Sequence, residues 1–277
     1  MKHFANSRSD RGKLKILRDA AEAARLQVAG SPGADPIHDL RVATRRLEQG
    51  VKVFRGSLDP AVRKELQRMM KQWMRATGKV RNCDIAMQDL EDGGTRKDLD
   101  AERTRMTAKL HAKLEKPLPE LPLVPDDSLS PEAVADALRK PAKTFFKTGA
   151  HLASHKKPDL KELHELRLAG KALRYRLELL ANHYGPKATE LIDQVKKTQT
   201  TLGDMNDSRS SERLFAKFNA PRKLIRASKE TARKHVGNFQ KDWPEMFADP
   251  GPWISFLEQA HPEPVRKSPR KAAKKKA

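Results

Sequence analysis

The chain has 277 residues, 57 Lys and Arg against 36 Asp and Glu, and a formal net charge of +21, with 37% hydrophobic and 5% aromatic residues. A single cysteine, Cys83, excludes an internal disulfide framework and a cysteine-built zinc site. No apolar run reaches the roughly 18 residues a membrane helix needs, and Met1 to Lys15 has no apolar signal core, so the expectation is a cytoplasmic, strongly basic protein with polyanionic partners and no membrane contact.

Taken in chain order, the periodicity predicts helices over roughly 9–29, 36–55, 60–77, 83–116 (broken near Gly93-Gly94), 131–154, 159–184, 187–202 and 207–218, with more helix between 221 and 259. Asp35-Pro36, Asp59-Pro60 and Ser130-Pro131 each read as an N-cap followed by proline at the first helical position. Gly78, Gly185 and Gly203 stand where helices are expected to stop. No segment alternates with period two between hairpin turns, so the fold class is all-α. Helix cannot pass through Pro117, Pro119, Pro122 and Pro125, which divides the chain. The expected organisation is a first helical bundle over 8–116, a Pro-rich linker over 117–130, a second bundle over 131–260 and a basic disordered tail over 261–277. Val265 to Ala277 holds seven basic residues and no acid; without them the rest still stands at +14, with 50 basic against 36 acidic residues.

The two halves carry an internal repeat. Residues 38–47 read His-Asp-Leu-Arg-Val-Ala-Thr-Arg-Arg-Leu and residues 164–173 read His-Glu-Leu-Arg-Leu-Ala-Gly-Lys-Ala-Leu, an offset of 126. Each copy precedes a further helix, a glycine (Gly78, Gly203) and a short polar turn, Arg81 to Asp84 or Met205 to Ser208. The repeat predicts two pseudo-symmetric four-helix bundles facing each other across a basic groove. On a helical projection Arg41, Arg45, Gln49 and Lys52 fall within about 60° of His38, opposite Leu40, Ala43, Leu47, Val51 and Phe54. In the second copy His164, Arg167, Lys171 and Tyr175 share a face with Arg174 at its edge, opposite Leu166, Ala169, Leu173, Leu177 and Leu180. Comparable stripes are Lys64, Arg68, Lys71 and Arg75; Lys140, Lys143, Lys147 and His151; and, more loosely, Arg11, Lys15, Arg18 and Arg25. Thr189, Asp193, Lys196 and Thr200 form a weaker counterpart in the second half.

Like charges at this spacing repel, so a stripe without acids is either a solvated surface or a seat for an anion. Arrays of Arg and Lys suit phosphate, and the span from His38 to Lys52, about 21 Å of helix, suits a linear polymer better than a nucleotide. There is no Gly-rich phosphate loop, and only Tyr175 offers an aromatic platform for a base. The residue pattern therefore favours phosphate backbone without base recognition. Non-specific nucleic-acid binding through the basic body and Lys-rich tail is the alternative.

The doubled motif, with the Gly-x-x-Arg-Asn-x-Asp turn at 78–84, resembles the CHAD family, the conserved-histidine α-helical domain, over about residues 8–260. The resemblance implies two four-helix bundles around a basic cavity that binds inorganic polyphosphate, non-catalytically, and association with polyphosphate granules in the cytoplasm. By motif match it implies ligand contact by His38, Arg41, Arg45, Arg46, His164, Arg167 and Lys171, with Arg174, Lys71 and Lys196 added by face and register. The stripes add Lys52, Arg75, Lys140, Lys143 and Lys147. The chain departs from the family where Arg81-Asn82 replaces a frequent Arg-Asp, and it has no Glu-x-Glu-x-Lys strand of the triphosphatase-like domain often fused to it.

Other features have plainer readings. Asp84 and Asp207 either order the cationic cluster or cap helices, and capping is preferred. His38-Asp39 lacks the further His and Asp of a phosphohydrolase metal site, so no metal or cofactor is expected. His38 and His164 either contact phosphate or are partly buried and bonded to a neighbour. Cys83 is expected to be inert, and Trp73, Trp243 and Trp253 to pack in the interior. Neither a nucleophile triad nor a carboxylate pair can be argued, so no enzyme is expected.

Overall fold

The structure is a computed structural model and describes residues 10–88, 90–91, 93–121 and 129–261. Nine α-helices occupy the described residues: α1 (Asp10–Gly30), α2 (Ala34–Val53), α3 (Pro60–Met87), α4 (Gly94–Leu114), α5 (Pro131–Ser154), α6 (Leu160–Leu180), α7 (Lys187–Lys217), α8 (Arg222–Phe247) and α9 (Gly251–Glu258). No strand occurs among the described residues, and no helix is long and apolar enough to cross a membrane.

Helix starts follow the local chemistry at two of the three expected caps. The Asp59 carboxylate accepts from the amides of Ala61 and Val62, and the Ser130 hydroxyl from Ala133, each ahead of a proline whose missing N–H costs nothing there. Asp159, a third cap, accepts from Lys161 and Glu162. Asp35 is not a cap: α2 starts two residues earlier than expected, at Ala34 after Gly33, which places Asp35 in the first turn. Gly185, with φ of +66°, turns the chain between α6 and α7.

Two expected stops are overridden. Helix α3 runs through Gly78 to Met87, and α7 through Gly203 to Lys217, so the stretches read as polar turns at 81–84 and 205–208 lie inside helices. A glycine in a helix interior costs only about 1 kcal/mol relative to alanine. Flanking side chains offset it: Thr77 and Val80 around Gly78, and Leu202 and Met205 around Gly203, are buried.

Helix α1 packs on α2 and α4, and α3 on α2 and α4. In the second half α6 packs on α5 and α7, and α8 on α5 and α7, with α9 laid against α5. The halves meet where α2 contacts α6 and α3 contacts α7. The apolar faces expected from the repeat are the buried ones: Leu40, Leu47, Val51, Leu166, Leu173, Leu177 and Leu180 are fully covered. The apolar interior is continuous from one half to the other. Residues of both halves, Trp73 and Leu66 with Phe145, Phe146 and Trp243 among them, belong to one contiguous apolar cluster. Trp253 is also buried, as expected. A second, small cluster of Ala86, Leu99, Phe215 and Ala220 joins the ends of α3 and α7.

Buried polar ties supplement this packing. Lys13, completely covered on α1, donates to the Leu179 carbonyl of α6 at 3.2 Å. Arg176 of α6 donates to the Gln49 side chain of α2 at 3.0 Å and to the Ala137 carbonyl of α5 at 2.5 Å. The start of the Pro-rich segment is strapped to α1. Arg18 donates to the carbonyls of Leu118 and Pro119, Leu118 is buried, and its amide donates to Glu22. The rest of that segment, residues 122–128, and the tail beyond His261 lie outside the described residues. At the boundary the His261 amide donates to the His183 carbonyl at 2.9 Å.

Candidate functional site

Where α2 crosses α6, four cations from matching positions of the repeat converge. Arg41 and Arg45 come from α2; Arg167 and Lys171, 126 residues further on, come from α6. All four are partly buried. Arg81 of α3 and Asp207 of α7 act on Arg41 from the sides. The apolar faces of both helices are turned inward, and this seats their polar faces toward each other.

Electrostatics records the crowding. Burial, then the Arg45 and Arg167 guanidiniums, push Arg41 down to about 9, which leaves it charged at neutral pH. Burial is also the main cause that lowers Arg45 and Arg167. Lys171 is the extreme case: burial and the charges of Arg167, Arg45 and Arg41 push its ammonium down to about 6. The carboxylates that oppose these effects are Asp207, which acts on all four, and Glu48, which acts on Arg45. The repulsion is thus only partly compensated within the protein.

Arg41 is held in place from α3. Its Nη1 donates to the Met74 carbonyl and to the Thr77 hydroxyl, both at 3.0 Å. The guanidinium lies against Gly78, where a Cβ would come within 3.2 Å of Nη1. Gly78 therefore admits the arginine instead of ending the helix. Beside the four cations, Arg46 and Arg174 both reach Glu178, at 3.4 and 3.3 Å. The Arg174 guanidinium stacks 4.5 Å from the centre of the buried Tyr175 ring. The Nε atoms of Arg46 and Arg167 are buried without a hydrogen-bond partner, whereas the Nε of Arg174 is the atom that faces Glu178. Buried donors of this kind are ordinarily satisfied, so the two mark a site with capacity for acceptors.

The remaining expected residues stand elsewhere. His38 is exposed at the start of α2. His164, also exposed, bonds the Asn206 side chain, and burial of its ring and the Arg167 charge hold it below its usual value. Lys52 is paired with Glu48 at 2.7 Å. Lys71, Arg75, Lys140, Lys147 and Lys196 are exposed and are not among the main charges acting on the cluster. Lys143 lines a cavity with Ile254, Leu257 and Glu258, on the α9 side of α5.

Several stripes also prove less bare of acids than the projection implied. Arg68 pairs with Glu65 and Arg25 with Glu22, each one helical turn away, while Arg18 is taken up by the Pro-rich segment. Asp84 and Asp207 are not caps, because both lie within helices. Asp84 accepts from Arg103 at 2.6 Å, and Asp207 faces the four cations. Cys83 is buried, and burial pushes its thiol up to about 11, which keeps it protonated and unreactive. No group of three or more His, Cys, Asp or Glu able to hold a metal occurs among the described residues.

Residues 14–216 match the family model of the CHAD domain. Among solved structures the chain is similar to the crystal structure of the CHAD domain from the plant Ricinus communis, with a TM-score of 0.55 and 19% identity. That likeness covers 91% of this chain and 92% of the plant chain, and it is a likeness of fold. No curated protein sequence matches the chain.

Proposed function

The chain belongs to the CHAD domain family, and from that membership and its cation cluster we propose that it binds inorganic polyphosphate, without catalysing a reaction, in a groove formed where α2 meets α6. The observation that carries the reading is the convergence of Arg41, Arg45, Arg167 and Lys171 from matching positions of the repeat. Placing four basic side chains together in a partly buried site opposes folding, through repulsion among the arginines and loss of the Lys171 proton, so an arrangement of this kind is kept for an anionic ligand.

Pseudo-symmetry of two bundles deepens the reading. A shift of 126 residues carries α1 to α4 onto α5 to α8 in order. The contacts within each set match, and the sets touch through the equivalent pairs α2 with α6 and α3 with α7. A polymer of identical units suits such a groove, since both walls present the same chemistry to a repeating phosphate. Arg41, Arg45, Arg167 and Lys171 form the floor, with Arg46 and Arg174 beside them and His164 at one end. In a cell, this binding would bring the protein to polyphosphate granules in the cytoplasm.

Because polyphosphate sheds counterions when cations replace them, affinity falls as salt rises. Titration of the full chain and of a chain ending at residue 264 separates groove from tail. Removing the seven tail cations weakens binding by about tenfold or less at physiological salt and leaves a saturable site. Loss of nearly all affinity in the shorter chain would make the tail the binder and overturn the groove.

A further inference from the structure

Past His164 the cationic surface continues into a cavity of about 510 Å³ between the first turns of α6 and the middle of α7. Lys161 and His164 line it from α6, and Asn206, Arg209 and Arg213 line it from α7. Their spacing puts each set on one face of its helix. Asp159 also borders the cavity, but its carboxylate is engaged by the amides of Lys161 and Glu162 as the cap of α6. Arg209 pairs with Glu212 at 3.1 Å, one turn along its own helix, and Arg213 is exposed. The cavity shares a wall with the four-cation cluster: His164 bonds Asn206 inside it and feels the charges of Arg167 and Lys171.

We propose that this cavity is a second phosphate subsite, which takes the continuation of a polyphosphate chain as it leaves the cluster. The proposal rests on the reading of the cluster as a polyphosphate site. From Lys171 to Lys161 is ten residues of α6, about 15 Å along the axis. A tripolyphosphate seated on Arg41, Arg45, Arg167 and Lys171 does not extend through that length as well, whereas a long chain engages both places at once. The second contact is then intramolecular and adds affinity for long chains only. The subsite therefore makes the protein a reader of chain length.

The test compares long-chain polyphosphate with tripolyphosphate, by calorimetry on the full chain and on Arg209→Gln with Arg213→Gln. A control, Lys229→Gln with Arg233→Gln, removes the same charge from exposed positions of α8. The α7 pair is expected to lower affinity for the long chain by about tenfold and to leave tripolyphosphate within about twofold, while the control changes neither by more than about twofold. Circular dichroism confirms that both variants are folded. If the α7 pair weakens both ligands equally, or neither, or if the α8 control matches it, the subsite is wrong while the cluster stands. If the unaltered chain binds neither ligand, the cluster reading fails and the subsite falls with it.

Discussion

Replacing Arg41 and Arg167 by glutamate lowers polyphosphate affinity at least about tenfold more than replacing Arg266 and Lys271, a difference of about 1.4 kcal/mol or more. Both pairs change the net charge by the same amount, since each exchanges two cations for two anions. Binding governed by total charge would show no difference. Arg41 and Arg167 stand in a partly buried cluster, where two carboxylates would face the incoming phosphates at reduced screening. Arg266 and Lys271 lie outside the described residues, in a tail with five further cations.

The groove variant must also be folded, and the structure supports this. Glutamate at 41 loses the bonds to Met74 and Thr77, but it exchanges repulsion from Arg45 and Arg81 for attraction. Leu40, Leu47, Leu166 and Leu173 still bury the opposite faces of both helices. Circular dichroism and a melting curve make this check, and equal affinity losses from the two folded variants would refute the groove.

A second large effect is proton uptake. Lys171, held at about 6, is mostly neutral in the free protein at pH 7.5, and phosphates laid beside it return the proton. Binding at that pH takes up close to one proton, and affinity falls by up to about tenfold per pH unit as pH rises from 7 to 8.5. His164 is also held below its usual value, by burial of its ring and then by the Arg167 charge.

For folding without ligand the sign is opposite. The unfolded chain holds the Lys171 proton between about pH 6 and 10.5 and the folded chain does not, so this group's contribution to stability rises with pH across that window and is lowest below it. Calorimetry in two buffers of different ionisation enthalpy measures the uptake directly. Lys171→Met abolishes it and raises the melting temperature, because folding no longer strips a lysine of its proton. Uptake that persists unchanged in Lys171→Met would rule out this assignment.

Much of the cation cluster was legible because burial is periodic. On α2, Leu40, Leu47 and Val51 determine which way His38, Arg41 and Arg45 face, and the same holds for Leu166, Leu173 and Leu177 on α6. Projection does not tell which part of a polar face meets a neighbouring helix and which meets water. Lys71, Arg75, Lys140, Lys147 and Lys196 therefore looked equivalent to Arg45, and they are exposed instead.

The Gly78 and Gly203 stops failed for a related reason. Local propensity ends a helix at glycine, but burial on either side continued both, and Gly78 answers to Arg41 across the interface. That one misreading also hid Asp207. With α7 broken near Gly203 the aspartate becomes a cap; with α7 continuous it faces the cations. Glu178 carried no pattern of its own, and Asn206 only that of the repeated polar stretch; the packing of α2 on α6 and α6 on α7 shows their partners.

The most direct measurement is competition between long-chain polyphosphate and duplex DNA for the full chain, at matched phosphate concentration and physiological salt. A groove shaped for a narrow, base-free phosphate chain should prefer polyphosphate by at least about tenfold per phosphate, and Arg41→Glu with Arg167→Glu should erase that preference. Equal affinity for the two polymers, unchanged by the double substitution, would contradict the account and make the protein a general binder of polyanions.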